Sequence, residues 1–139
     1  MFKDILVPTN FAAENKGSLD IAVGIAQLSG GNIYVLHVIK TIPNTAFEEF
    51  EDFYRKLEKQ AQRNMTTLLN PYQDSPVIIE SAIIYGGRVR EILRFAEDHH
   101  IDLIVMTSHK IDPDKPAQGW GTISHKVGVL ANCPIMLVK

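Results

Sequence analysis

Short apolar runs rich in β-branched residues recur along this chain, and nearly every pair of them is separated by a stretch of helical periodicity. Ile5-Leu-Val7, closed by Pro8, is the first run. Residues 32–39 (Asn-Ile-Tyr-Val-Leu-His-Val-Ile) form the second, residues 77–84 the third, residues 102–107 the fourth and residues 134–138 the fifth. Continuous runs of this kind suit strands buried on both faces. Between them, Leu19, Ala22, Ile25 and Ala26 keep helical spacing over residues 14–29, and Gly30-Gly31 stops that helix. The order strand, helix, strand repeated to a fifth strand predicts an α/β fold with a parallel sheet and helices on both faces.

The other helical segments carry their own signals. Thr45 and Glu48 are spaced as a capping box opening the second helix. Phe47, Phe50, Tyr54, Leu57, Ala61 and Leu68 then mark one apolar face, and Asn70-Pro71 ends it. Its acidic start and basic middle suit the helix dipole and read as a solvated face. Gly86-Gly87 opens a third helix on Val89, Ile92, Leu93 and Ala96, and a fourth is built on Ile123, Val127, Leu130 and Ala131. Gly17 and Gly24 weaken the first helix by up to about 1 kcal/mol each relative to Ala, a cost that suits a close neighbour needing the space.

Composition narrows the function classes. With 139 residues, 45% hydrophobic and 22% charged, one globular domain over residues 1–139 is expected. A net charge of −2 offers no electrostatic case for nucleic acid or an anionic membrane. No apolar run approaches the roughly 20 residues of a membrane span, and the N-terminus lacks the pattern of a signal peptide. The single Cys133 cannot form an internal disulfide. A cytoplasmic location is the expectation.

In open parallel sheets, ligands bind beyond the carboxyl ends of the strands where strand order reverses. Those ends here are residues 8–10, 38–40, 84–87 and 107–110. The fourth strand ends in the polar Thr107-Ser108-His109-Lys110, and after a loop the chain re-enters a helix at Gly121-Thr122-Ile123-Ser124. Strand, loop and helix N-terminus form an outline suited to an anion, because the first helical N–H groups lack partners.

In order and spacing these pieces resemble the universal stress protein family across essentially the whole chain. The resemblance is carried by Lys3-Asp-Ile-Leu-Val-Pro-Thr-Asn-Phe11, Val35-Leu-His-Val-Ile39, residues 87–96 ahead of His100-Ile-Asp-Leu-Ile-Val-Met106, and Gly121-Thr-Ile-Ser followed by Cys133-Pro-Ile-Met-Leu-Val138. It implies a three-layer, doubly wound five-stranded parallel sheet of order 3-2-1-4-5, similar to the adenine nucleotide alpha hydrolase fold. It further implies a homodimer, for which the terminal strand, residues 135–138, is the physical candidate, since an edge strand leaves backbone groups unpaired.

The nucleotide-binding branch of the family wraps ATP with Gly-x2-Gly-x9-Gly-Ser/Thr. By that resemblance the glycines fall on Thr107, Lys110 and Gly121, so two of three are replaced, and ten residues stand where nine are usual. The Asp usual at the end of the first strand is Asn10. Gly serves where backbone must approach a phosphate, which Thr does poorly. The resemblance thus names Pro8, Thr9, Asn10, Val38, Thr107, Ser108, His109, Lys110, Gly121, Thr122, Ile123 and Ser124 as candidate nucleotide-binding residues, with ATP, with or without Mg²⁺, as candidate ligand. Val38 would meet the adenine through its backbone.

Each candidate has a plainer role. Thr122 caps the fourth helix, and Ser124 lies on that helix's exposed first turn. Thr107 and Ser108 satisfy loop backbone. Asn10 turns the chain into the first helix, and Val38 is strand core. Lys110 is an exposed loop residue. Among the five histidines, His37 reads as a satisfied strand imidazole, and His99-His100 suit a helix C-terminus. His109 with Asp112 and Asp114 matches no metal spacing. Cys133 has no partner for a dyad, and Trp120 is unassigned. With no base, nucleophile or carboxylate pair at the strand ends, the chain reads as a non-enzyme, weak nucleotide hydrolysis aside. The expected function is regulation through an adenine nucleotide held at the ends of strands one and four. The alternative is a dimeric signalling or interaction module without nucleotide.

Overall fold

The computed structural model describes residues 1–108, 114 and 122–139. The elements are β1 (Asp4–Pro8), α1 (Asn15–Ser29), β2 (Asn32–Lys40), α2 (Glu51–Leu69), β3 (Ile79–Gly86), α3 (Arg88–Asp98), β4 (Leu103–Thr107), α4 (Ile123–Leu130) and β5 (Ile135–Val138). Short 3₁₀ turns precede and follow α2, at Phe47–Phe50 and Asn70–Tyr72. The sheet order is β3-β2-β1-β4-β5 and every pairing is parallel, as the alternation of runs and helices implies.

Because β1 and β4 lie at the centre, they are apolar on both faces. Ile5, Leu6, Val7, Ile104 and Val105 are sequestered, each contributing about 1.5–3 kcal/mol by burial. Ile5, Val7, Val35 and Val105 meet Leu19, Ala22 and Ala26 of α1 and Met65 of α2 on one side. Leu6, Leu36, Val38 and Ile104 meet Ile92, Phe95 and Ala96 of α3 and Val127 of α4 on the other. The sheet is therefore the middle of three layers.

Several local expectations are corrected. The capping box does not form: the Thr45 hydroxyl donates to the carbonyl of Ile42 at 2.8 Å, and a 3₁₀ turn leads into α2. Strand β3 starts at Ile79, two residues later than the apolar run suggests. On α2 only Tyr54, Ala61 and Met65 are buried, while Leu57, and Phe47 and Phe50 on the preceding 3₁₀ turn, remain exposed. Gly17 and Gly24 have nothing within 4 Å of the position a Cβ would take, so among the described residues no close neighbour uses that space. Gly31 is the glycine that close approach demands: a Cβ there would lie 2.4 Å from the carbonyl oxygen of Phe2. Gly30, at φ +70, supplies the left-handed turn that ends α1.

Candidate functional site

The sheet order reverses between β1 and β4, and their carboxyl ends open a crevice of about 290 Å³ beneath the start of α4. Pro8, Thr9 and Asn10 enter it from β1, Val38 from β2, Thr107 from β4, and Thr122, Ile123 and Ser124 from α4. These candidates, scattered through the sequence, thus share one cavity. Ser108 does not line it. Its N–H donates to the carbonyl of Val138 at 2.8 Å and its hydroxyl accepts from Lys139 at 3.2 Å, on the β5 side. His109, Lys110 and Gly121, and with them Trp120, lie outside the described residues.

The β1 end is shaped by side chains bonding their own backbone. Thr9 extends the ladder one step, its N–H donating to Leu36 at 2.8 Å, and its hydroxyl accepts the N–H of Phe11 at 3.0 Å. Asn10 Oδ1 accepts the N–H of Ala12 at 2.9 Å and Nδ2–H of Asn15 at 2.5 Å. Asn10 therefore performs the turn into α1 that its residue type suggests. These bonds hold Phe11 at φ 65, with its ring 4.4 Å from that of His37.

His37 sits at the junction. Its Nδ1 is 2.8 Å from the carbonyl oxygen of Thr9, and because a carbonyl only accepts, Nδ1 carries the proton. Burial lowers the His37 pKa, the Thr9 carbonyl works in the opposite sense, and the Arg88 charge lowers it further. At neutral pH the ring is uncharged, and Nε2 is an acceptor.

On the β4 side, the hydroxyls of Thr107 and Ser18 are in hydrogen-bond contact, and Thr107 Oγ1 also reaches the carbonyl of Glu14 at 3.5 Å. Strand β4 is thereby tied to α1. Thr122 stands at the N-cap of α4, its Oγ1 accepting the N–H of His125 at 3.4 Å and lying 3.2 Å from Ser124 Oγ. Ser124 is buried at 6%, contrary to the exposed first turn expected. It turns inward beside Ile123 and Val127, the residues that seat α4 on the sheet.

Sequence reasoning passed over part of the lining. Arg88, His37 and Asn15 contribute polar groups, and Leu36, Ile92 and Met106 an apolar floor. The signal for Arg88 was present, since it follows Gly86-Gly87 at a strand end already singled out. Arg88 is the one cation lining the crevice among the described residues. Cys133 lies elsewhere, and burial together with the Asp102 charge raises its thiol pKa, which keeps it protonated. Among the described residues, no three His, Cys, Asp or Glu side chains converge to hold a metal ion, and no helix is long and apolar enough to cross a membrane.

Comparison with known proteins places this geometry. The universal stress protein family model matches residues 1–139. Universal stress protein MJ0577 of Methanocaldococcus jannaschii is 27% identical over 100% of this chain and 96% of its own. Its solved structure superposes with a TM-score of 0.84 at 28% identity, again over 100% and 96%. A universal stress protein of Thermus aquaticus is 30% identical over the full length of both chains. A universal stress protein from Archaeoglobus fulgidus, solved in complex with dAMP, shares the fold with a TM-score of 0.72 at 18% identity, covering both chains fully. With its sheet order, its crevice and these full-length matches, the chain belongs to the universal stress protein family.

Proposed function

We propose that this protein is a regulatory nucleotide-binding member of its family, holding ATP or a related adenine nucleotide over the carboxyl ends of β1 and β4. The observation that carries the reading is the convergence of eight sequence candidates on the one crevice at the point of strand reversal. The Archaeoglobus fulgidus protein of the same fold, solved with dAMP, supports the ligand class. In this reading the base lies against Val38 and the apolar floor of Leu36 and Met106. The phosphates point to the first turn of α4, whose N–H groups lack intrahelical partners. Asn10 at the end of β1 offers no carboxylate, so any Mg²⁺ would be carried by the nucleotide itself.

Binding rather than turnover is the proposed role, in a cytoplasmic homodimer. The half-buried, unpaired thiol of Cys133 suits a reducing compartment. Strand β5 ends the sheet with Met136 and Leu137 exposed, which suits pairing with a second copy.

Isothermal titration with ATP–Mg²⁺ and with dAMP tests the ligand. Saturable heat is expected, and Thr122→Ala, by uncapping the helix end that receives the phosphates, weakens binding by about 2- to 10-fold. Absence of heat at millimolar nucleotide overturns the reading in favour of an interaction module without nucleotide. Light scattering tests the dimer, and phosphate release above background tests the absence of turnover.

A further inference from the structure

The crevice is not isolated. A second groove, of about 600 Å³, begins where it ends and shares Asn10, His37, Val38 and Arg88 with it. The two lie on opposite faces of the sheet, because side chains alternate along a strand. Leu36 and Val38 pack with α3 residues, whereas Ile39 packs with Tyr54 and Ala61 of α2. The first lobe therefore opens above the α3/α4 layer and the second above α2. They meet over the carboxyl edge of β2.

The second lobe has the lining of a ligand site. Phe53, 50% exposed, with Ile42 and Leu57 presents apolar surface that no described residue covers. Gln60 and Asn64 add carboxamides, which both donate and accept. Among the described residues, no Asp or Glu lines either lobe. Lys40 and Arg88 are the cations there among the described residues. Arg88 lines both lobes and makes no hydrogen bond or ion pair among the described residues, whereas Arg55 and Arg94 are paired with glutamates. Beside it, the rings of Phe11 and His37, tilted against each other with centroids 4.4 Å apart, form an aromatic step between the lobes.

Two half-apolar lobes joined at a carboxylate-free bridge with one cation match a particular ligand shape. We propose that the cleft takes a dinucleotide, two nucleosides joined through phosphates, straddling the edge of β2. One nucleoside sits in the crevice, its phosphates turned to Arg88 from the α4 end where those of a mononucleotide point, and the second base rests on Phe53 and Leu57 under Gln60 and Asn64. The guanidinium offers a planar fork to phosphate oxygens, and the carboxamides offer hydrogen bonds to a base edge. This inference rests on the nucleotide reading of the crevice and adds a second subsite to it.

Calorimetry with ATP and with diadenosine tetraphosphate, on the full chain, tests it. The dinucleotide is expected to bind at least 10-fold more tightly than ATP. Gln60→Trp, on the exposed side of α2, fills the second lobe and abolishes that advantage while leaving the ATP affinity within 2-fold. Gln60→Glu does the same through repulsion, guarding against a misfolded Trp variant, and far-UV circular dichroism checks both. Arg88→Ala weakens the dinucleotide at least 5-fold. Equal affinities for the two ligands, or an advantage that survives both Gln60 variants, overturn the second subsite while the crevice reading stands. No heat with either ligand overturns both.

Discussion

The contact between Ser18 and Thr107 yields a prediction that separates structure from ligand binding at the strand reversal. Thr107 occupies a position where the nucleotide-binding branch has glycine, and its hydroxyl is engaged by Ser18 and by the carbonyl of Glu14. Ser18 is 0% exposed. Thr107→Val keeps the β-branched shape that suits β4 but strands the Ser18 hydroxyl away from water. A buried polar group without its partner costs about 1–3 kcal/mol. For a chain of this size that corresponds to a fall in Tm of about 3–10 °C. Ser18→Ala alone should cost less, about 0.5–1.5 kcal/mol, because Thr107 keeps the Glu14 carbonyl and faces the crevice. Removing both hydroxyls leaves nothing unsatisfied, so the double variant should be no less stable than Thr107→Val alone, a coupling of about 1 kcal/mol. Urea unfolding followed by circular dichroism, with an unchanged m-value, measures all three. Since the hydroxyl already serves α1, nucleotide affinity should change less than about 3-fold, the equivalent of under 1 kcal/mol. Strict additivity of the two substitutions, or a 10-fold loss of affinity at unaltered stability, would refute the reasoning and return Thr107 to the ligand.

Three further outcomes follow from the backbone and from His37. Gly17→Ala and Gly24→Ala each add a methyl to open space on α1, so each should stabilise by about 0.5–1 kcal/mol, and the pair should add in urea titration. Gly31→Ala sets a Cβ 2.4 Å from the Phe2 carbonyl, so strand β1 must shift, and a loss of about 1–3 kcal/mol is expected by the same assay. His37 has a pKa lowered by burial, so the unfolded chain binds its proton more readily. Its contribution to stability is complete above the ordinary value of about 6.5 and is lost as pH falls through the lower, folded value. His37→Asn keeps a donor for the Thr9 carbonyl, and the difference between wild-type and variant Tm should shrink on acidification from pH 7. A difference constant between pH 7 and 4.5 would show that His37 titrates as a free imidazole.

What was legible in the sequence was set by burial on two sides. Strands β1 and β4 could be read directly because both of their faces are covered, so no polar residue interrupts them until the sheet ends. Edge strand β3 is half-exposed, with Glu80 and Ser81 at its start, and its boundary was correspondingly blurred. The capping box failed because a Thr hydroxyl has competing local acceptors, and the Ile42 carbonyl lay within reach. Met65 was missing from the expected α2 face although it continues the spacing from Ala61 to Leu68. At the site, His37 and Arg88 were hidden for different reasons. His37 looks like any polar residue alternating within a strand, and only the turn at Thr9 and Asn10 makes it the step between two lobes. Arg88 reads as a surface charge until β2 and β3 are paired, Lys40 opposite Gly86, which brings the start of α3 to the end of β2.

The pattern of hydrogen bonding around the crevice argues for where its affinity must come from. Thr9, Asn10, Thr107 and Thr122 each spend side-chain capacity on the chain itself, fixing the turn into α1, the seam between β4 and α1, and the cap of α4. Such groups are costly to redirect, because a ligand that takes one of these bonds leaves the former partner unpaired. They shape the cavity and hold it rigid. A hydroxyl still has lone pairs to offer, but among the described residues the groups able to bind without breaking anything are the guanidinium of Arg88, Nε2 of His37 and the N–H groups of Ile123 and Ser124 at the start of α4. These groups call for opposite features in a ligand. Arg88 and the helix end ask for negative charge, while Nε2 of a neutral His37 asks for a donor, which the exocyclic amine of adenine supplies. Inosine nucleotides carry an oxygen in place of that amine. They should bind more weakly than their adenine counterparts in wild type, and the preference should narrow in His37→Asn. An equal affinity for both bases in wild type would show that the imidazole does not read the base.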